Sequence, residues 1–236
     1  MQETKRFTPA DGKTILVEVN SAEGNTTAVL MVHGFTGDIN EHIFYNASQQ
    51  WPKKGLDVWR ISLYPGEAGT RTMATVTWEQ NFLDIDLVLK EMAKQYEKLF
   101  LVGHSRGGTQ AVYIINQKLK AKVLWDPSYL SDVVEEAQEE LHPDYYTLDW
   151  GHIILASKNY TNEGVSFSDY RNAPIEQPPI LVIRASDNDM GWPKALRKKL
   201  VKIKNSDHCF NKDGNEKKLF SLTLNFFKKH SLSQPE

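Results

Sequence analysis

The sequence predicts an α/β protein with a mainly parallel sheet covered by helices on both faces, on three observations. Short apolar runs of strand length alternate with helical patterns along the chain, an order that places crossover helices between parallel strands. The 236 residues hold no internal repeat, low-complexity tract or linker, so a single domain over 1–236 is expected. With 40% hydrophobic and 25% charged residues the chain has the composition of an ordinary globular protein, which excludes disordered and fibrous classes.

Taken in order, Arg6-Phe7-Thr8 and Ile15 to Val19, joined through Asp11-Gly12, read as an opening hairpin. Val29 to His33, Val58 to Leu63, Leu99 to Val102, Lys122 to Trp125, Ile180 to Arg184 and Leu200 to Lys204 follow as strands. Helical patterns lie between them at Glu41 to Lys53, Trp78 to Tyr96, Arg106 to Lys118, Lys194 to Lys199 and Glu216 to Lys229. Phe82, Ile85, Leu89 and Met92 recur at three- or four-residue spacing and give the second of these one apolar face for docking on a sheet.

The alternation breaks over 126–172, where a helical run at Ser131 to Leu141 and a dense set of aromatics suggest a small cap inserted over the strand ends. Trp125, Tyr129, Tyr145, Tyr146, Trp150, Tyr160, Phe167 and Tyr170 lie in or beside it. Packing within the cap explains such aromatics better than a pocket does, since a small cap needs a core of its own. Between Asp126 and Asp149 there are eight acidic residues and no Lys or Arg, whereas Lys194 to Lys229 holds eleven basic and three acidic ones. Both stretches read first as solvated faces.

A net charge of −2 argues against general affinity for nucleic acid or membrane. The amino terminus lacks the apolar stretch of a signal peptide and no apolar run is long enough to span a bilayer, so a cytoplasmic protein without membrane insertion is expected. Cys209 is the single cysteine, which rules out an internal disulfide and a cysteine-type metal site. No metal-ligand spacing and no nucleotide-binding glycine loop occurs, so neither metal nor cofactor is expected.

The chemistry begins at Leu99-Phe100-Leu101-Val102-Gly103-His104-Ser105-Arg106-Gly107-Gly108, an apolar strand running through G-x-S-x-G into a helix. A serine at such a turn is held in a strained conformation, and the glycines let neighbouring backbone pass close enough to expose its hydroxyl. Upstream, Val29-Leu30-Met31-Val32-His33-Gly34-Phe35-Thr36-Gly37 is a strand ending in a Gly-rich turn. The main-chain N–H groups of Phe35 and Arg106 are the expected oxyanion-hole donors, each worth on the order of 3 kcal/mol in a dry site. His33 precedes a turn and is expected to be structural. His104, inside the elbow, is expected to pack or bond locally. Asn205-Ser206-Asp207-His208-Cys209-Phe210 is a polar loop between the last strand and the terminal helix, which makes His208 the expected general base. His42, His142, His152 and His230 fall in or beside helices or the cap.

On His33-Gly34-Phe35-Thr36-Gly37, on the elbow Gly103 to Gly108 and on Asp207-His208-Cys209-Phe210, the sequence resembles the α/β-hydrolase superfamily. Among its branches it is most similar to small lipases, esterases and cinnamoyl or feruloyl esterases. Leu63-Tyr64-Pro65-Gly66-Glu67 is similar to the family's Pro-Gly-His-Gly but departs from it at Glu67-Ala68. The resemblance implies an α/β-hydrolase fold with a small cap and a Ser-His-Asp triad acting on a small-molecule acyl ester. It also implies an acid at the strand end Ile180 to Ala185, followed by Ser186-Asp187-Asn188-Asp189-Met190-Gly191-Trp192-Pro193. Reading Ser186 in the family's Gly position puts the acid at Asp189, with Asp187 as the alternative for a tighter turn. Catalytic Ser105, His208 and Asp189 are thus the expectation, with hydrolysis of an ester, thioester or amide through an acyl-enzyme. The alternative is a non-catalytic module of the same fold that binds a small ligand or a protein.

Overall fold

The computed structural model describes residues 1–128, 144–149, 153–168, 170, 172–185 and 194–231. β1 (Gln2–Phe7) and β2 (Ile15–Asn20) pair antiparallel, with Phe7 opposite Ile15, so the opening hairpin forms around Asp11-Gly12 as the turn chemistry predicts. Thereafter β3 (Thr27–Val32), α1 (His42–Gln50), β4 (Asp57–Ser62), α2 (Trp78–Met92), β5 (Lys98–His104), α3 (Arg106–Tyr113) and β6 (Leu119–Trp125) alternate strand and helix. Only a short 3₁₀ turn at Pro52–Lys54 interrupts that order. Between β6 and β9 (Ile180–Arg184) stand a two-stranded antiparallel ribbon, β7 (Tyr145–Asp149) with β8 (Ile153–Ser157), and α4 (Lys158–Ser168). The chain closes with α5 (Lys194–Arg197), β10 (Leu200–Lys202) and α6 (Asn215–Ser231).

Eight strands form one sheet in the order β1-β2-β4-β3-β5-β6-β9-β10. β2 pairs antiparallel with β4, and every pair from β4 to β10 is parallel. Its two edges are β1 and the three-residue β10. Successive side chains point to opposite faces, so the central strands feed two cores. Leu30, Val32, Leu99 and Leu101 lie on one face with Ile85, Val88, Leu89 and Met92 of α2 and Ala111 and Val112 of α3. Val29, Met31, Phe100 and Val102 lie on the other with Phe44 and Ala47 of α1 and Leu219, Phe220 and Phe227 of α6. Each fully buried large apolar side chain contributes about 1.5–3 kcal/mol relative to exposure, and both faces need cover.

Local chemistry explains where the helices start and stop. α2 begins at Trp78 because Thr77 and Gln80 form a capping box, and its predicted face is buried at Ile85, Leu89 and Met92. α3 is five residues shorter than its periodicity suggests. Ile114 leaves the helix at ψ 120°, and Asn116 Oδ1 then accepts the Lys118 N–H, a turn that competes with helix propagation. Lys122 of β6, wholly buried, donates to the carbonyl of Val112 in the last turn of α3 at 2.8 Å. The helical run expected at Ser131 to Leu141 falls outside the described residues, as do Tyr129 and Trp150. The acidic stretch from Asp126 to Asp149 is described only at its ends. Trp125, Tyr160 and Tyr170 are buried, as expected of packing aromatics. No helix among the described residues is long and apolar enough to cross a membrane.

Candidate active site

β5 runs into α3 through a single residue, Ser105, at φ 52° and ψ −123°. A side chain rarely adopts that conformation, and it costs on the order of 1–3 kcal/mol unless the surroundings enforce it. Here they do. The Ser105 N–H donates to the carbonyl of Trp125 at 2.9 Å, and its own carbonyl accepts from Ser128 N–H at 3.1 Å and Thr109 N–H at 3.2 Å. The glycines of the elbow allow the approach: a Cβ on Gly107 would collide with the carbonyl oxygens of Val32 and His33, and one on Gly103 with the backbone of Gly107. A Cβ on Gly34 would lie 2.9 Å from the Cβ of Ser105, so the turn after β3 also presses against the serine. The Ser105 hydroxyl shares a hydrogen bond with that of Ser128 at 3.2 Å.

His33 is structural, as expected. It is buried, with Nδ1 2.9 Å from the carbonyl of Gly34 and Nε2 3.0 Å from the main-chain N–H of Leu63. A carbonyl on one side demands a donor and an N–H on the other demands an acceptor, so the ring is neutral with its proton on Nδ1. Burial pulls its pKa below the ordinary value accordingly. The Tyr64 hydroxyl donates to the same Gly34 carbonyl at 2.5 Å, and the two contacts fix the turn that carries Phe35.

His208 stands in the loop after β10, with its side chain half exposed, and its Nδ1 lies 2.7 Å from Oδ2 of Asp126. The carboxylate can only accept, so Nδ1 carries a proton. Asp126 terminates β6 at φ 39°. Its second oxygen accepts from the Ala185 N–H at 3.2 Å and faces Arg184 Nε at 3.0 Å. Burial pushes the Asp126 carboxyl up, but the bond to His208 and the charge of Arg184 outweigh it and hold it below the ordinary carboxylate value. The loop itself is fixed by an Asp207 side chain that accepts the Asn211 N–H at 2.8 Å and by Phe210, which is fully buried.

The expected site residues Phe35, Ser105, Arg106 and His208 line one cleft of about 780 Å³, together with Asp38, Glu41, His104, Ser128 and Cys209. The Arg106 guanidinium lies 4.5 Å from the centre of the Phe35 ring and 5.4 Å from that of Tyr160, so these side chains form a stacked wall. Asp189, and Asp187 as its alternative, lie outside the described residues. The carboxylate on His208 is that of Asp126, expected from sequence as the start of the insertion and of its acidic stretch. Its signal was there: an aspartate after the apolar run Val123-Leu124-Trp125, at the end of the strand beside β5. Glu41 and His104 also join the site. His104 Nδ1 is 3.2 Å from the Glu41 carboxylate, and its Nε2 is 2.9 Å from the carbonyl of His208.

No protein-family model matches the sequence, and no curated protein does. Solved structures match it over nearly its whole length. A putative hydrolase from Agrobacterium vitis S4 superposes with a TM-score of 0.74 at 15% identity, covering 95% of this chain and 98% of that one. Est1E from Butyrivibrio proteoclasticus, solved with ferulic acid bound, gives a TM-score of 0.74 at 17% identity, covering 99% of this chain and 100% of that one. The α/β hydrolase domain-containing protein 10 from mouse gives 0.73 at 13% identity, covering 96% and 99%. At such identities the likeness is one of fold.

Proposed function

On an α/β-hydrolase fold, we propose that this cleft is the active site of a serine hydrolase of carboxylesterase or lipase type, cleaving a small-molecule ester or related acyl bond. The observation that carries the reading is the His208–Asp126 bond of 2.7 Å in the same cleft as a serine at a strained elbow. Ser105 Oγ attacks the acyl carbon while its proton passes to His208 Nε2, and the negative charge that appears on the carbonyl oxygen is received by the main-chain N–H groups of Phe35 and Arg106. The imidazolium then protonates the leaving alcohol. A water molecule, deprotonated by the same histidine, releases the acid and restores the serine.

In this reading Asp126 takes the part expected of Asp189, or of Asp187. It holds the imidazole in the tautomer that leaves Nε2 free for the serine proton and stabilises the imidazolium without accepting the proton. Arg184 and the Ala185 N–H keep it ionised.

Labelling by a fluorophosphonate probe tests whether the serine is activated, since a mere binding pocket does not react. Wild-type protein is expected to label at Ser105 and to turn over at least one of a panel of para-nitrophenyl, feruloyl, monoacylglycerol, acyl-thioester and aminoacyl substrates. Ser105→Ala is expected to fold normally and to lose both. Turnover by that variant above roughly one percent of wild type would remove Ser105 from the mechanism.

A further inference from the structure

His104 is one residue before Ser105, and His208 is the base, yet the two are joined directly. The Nε2 of His104 lies 2.9 Å from the main-chain carbonyl of His208, and the ring centres are 4.8 Å apart. The other nitrogen, Nδ1, meets the carboxylate of Glu41, the residue that opens α1. Gly37 makes room for that carboxylate: a Cβ there would collide with the Glu41 side chain.

We propose that His104, charged and buttressed by Glu41, is a positioning residue for the general base, a strut that fixes the backbone of His208 against the elbow that carries Ser105. The inference rests on the serine-hydrolase reading of the cleft.

The argument is one of donors and acceptors. A carboxylate and a carbonyl can only accept, so both nitrogens of His104 must carry hydrogen to satisfy them, and the ring is an imidazolium. His33, equally buried at the end of the neighbouring strand, has one donor and one acceptor beside it and is neutral. Burial of His104 works against the charged form, but the bond to Glu41, its charge and the His208 carbonyl outweigh burial and raise its pKa. Burial likewise works to raise the Glu41 pKa, and the bond and charge of His104 bring it below the ordinary value. Among the described residues, the other titratable groups facing the pair are His33, Asp38, Tyr64, Asp126, His208 and Cys209. Phe44 and Phe210 stand beside the His104 ring at 6.3 and 6.5 Å.

A strut of this kind has a pH window. His104 has a raised pKa, so its contribution is complete below the ordinary histidine value of about 6.5 and is lost as pH rises through the raised one. Glu41 has a lowered pKa, so its contribution is complete above about 4.3 and is lost as pH falls through the lowered one. Once His104 is neutral, the one ring nitrogen without hydrogen must face an acceptor, whichever tautomer it takes.

Two near-isosteric variants separate the strut from plain packing. His104→Gln places an amide N–H close to the position of Nε2 and keeps a donor for the His208 carbonyl, whereas His104→Asn reaches only toward Glu41. The expected result is a kcat about 10- to 100-fold lower in His104→Asn with KM little changed, the scale of a misplaced catalytic group. His104→Gln is expected to recover all but a few-fold of that loss and to lack the alkaline decline of wild-type kcat. Should His104→Asn not fold, Glu41→Gln carries the same test. An amide donating to Nδ1 turns His104 neutral with its Nε2–H still on His208, so the alkaline decline disappears while kcat falls less than about fivefold. Imidazole ¹⁵N spectra of the wild type at pH 6 are expected to find both His104 nitrogens protonated. Wild-type kcat and pH profile in His104→Asn, with Ser105 labelling intact, overturn the positioning role alone. A wild type that neither labels nor turns over any ester overturns the hydrolase reading and this role with it.

Discussion

At the end of β5 the place of Ser105 is set by main chain: three backbone hydrogen bonds and glycines that let β3, β5 and α3 touch without side chains between them. In the loop after β10 the place of His208 is set by side chains, with Asp126 on its ring and His104 on its carbonyl. A position fixed by main chain changes only when the fold does. One fixed by titrating side chains can change with pH, or with one substitution, while the fold survives. Variants of the two regions should therefore fail in different ways.

The largest effect is expected on the loop side. Asp126→Asn offers His208 Nδ1 a donor where an acceptor is needed, favours the wrong tautomer and should lower kcat of the folded protein by up to about 10⁴. Far-ultraviolet dichroism should be retained, because the amide oxygen can still accept from Ala185. Asp187→Asn and Asp189→Asn serve as controls and should stay within a few-fold of wild type. A dead Asp189→Asn beside an active Asp126→Asn would move the acid to the exit of β9.

On the elbow side the failure should be structural. Gly107→Ala drives a methyl group into the Val32 and His33 carbonyls, which cannot yield without moving β3. A cost of about 3 kcal/mol is expected, or roughly 6–12 °C in Tm for a chain of this size. If Tm were unchanged while kcat collapsed, the contrast between the two regions would not hold.

The smallest effect lies at the far end of the elbow helix, where burial pushes the Lys122 ammonium down to about 7. A base whose folded pKa is depressed carries no penalty above its unfolded value of about 10.4, and the penalty grows as pH falls until the folded pKa is reached. Lys122→Met removes it at the cost of one hydrogen bond to Val112. A gain of about 1 kcal/mol is expected in denaturant melts at pH 6, shrinking toward pH 10. A gain that is constant with pH would mean that the lysine does not titrate in the folded state.

What the sequence made legible was whatever depends on neighbours along the chain. β9 falls at Ile180–Arg184, as the apolar run predicts, and α2 starts at Trp78, after a cap residue that is also local. The elbow is legible for the same reason, since glycine spacing within six residues specifies it. Asp126 was not, because in sequence aspartates follow both apolar runs, Val123 to Trp125 and Ile180 to Arg184, and contact with His208, 82 residues further along the chain, is set by tertiary packing. His104 does not bond locally as expected: its two nitrogens meet Glu41 and the His208 carbonyl, 63 and 104 residues away in sequence, separations at which periodicity carries no information. The shortfall in α3 had a visible cause in Asn116, whose side chain prefers the turn.

The two ends of the sheet bear on solubility. A parallel interior rich in Val, Ile and Leu would template growth of further strands if its rim were open to another chain. β10 offers only three residues, ending in Lys202 and flanked by Lys199 and Lys204, and β1 sets Glu3, Lys5 and Arg6 along the opposite rim. Short length on one side and charges of both signs on the other leave little for a second copy to zip onto, so the apolar centre of the sheet is kept from seeding fibrils at both margins.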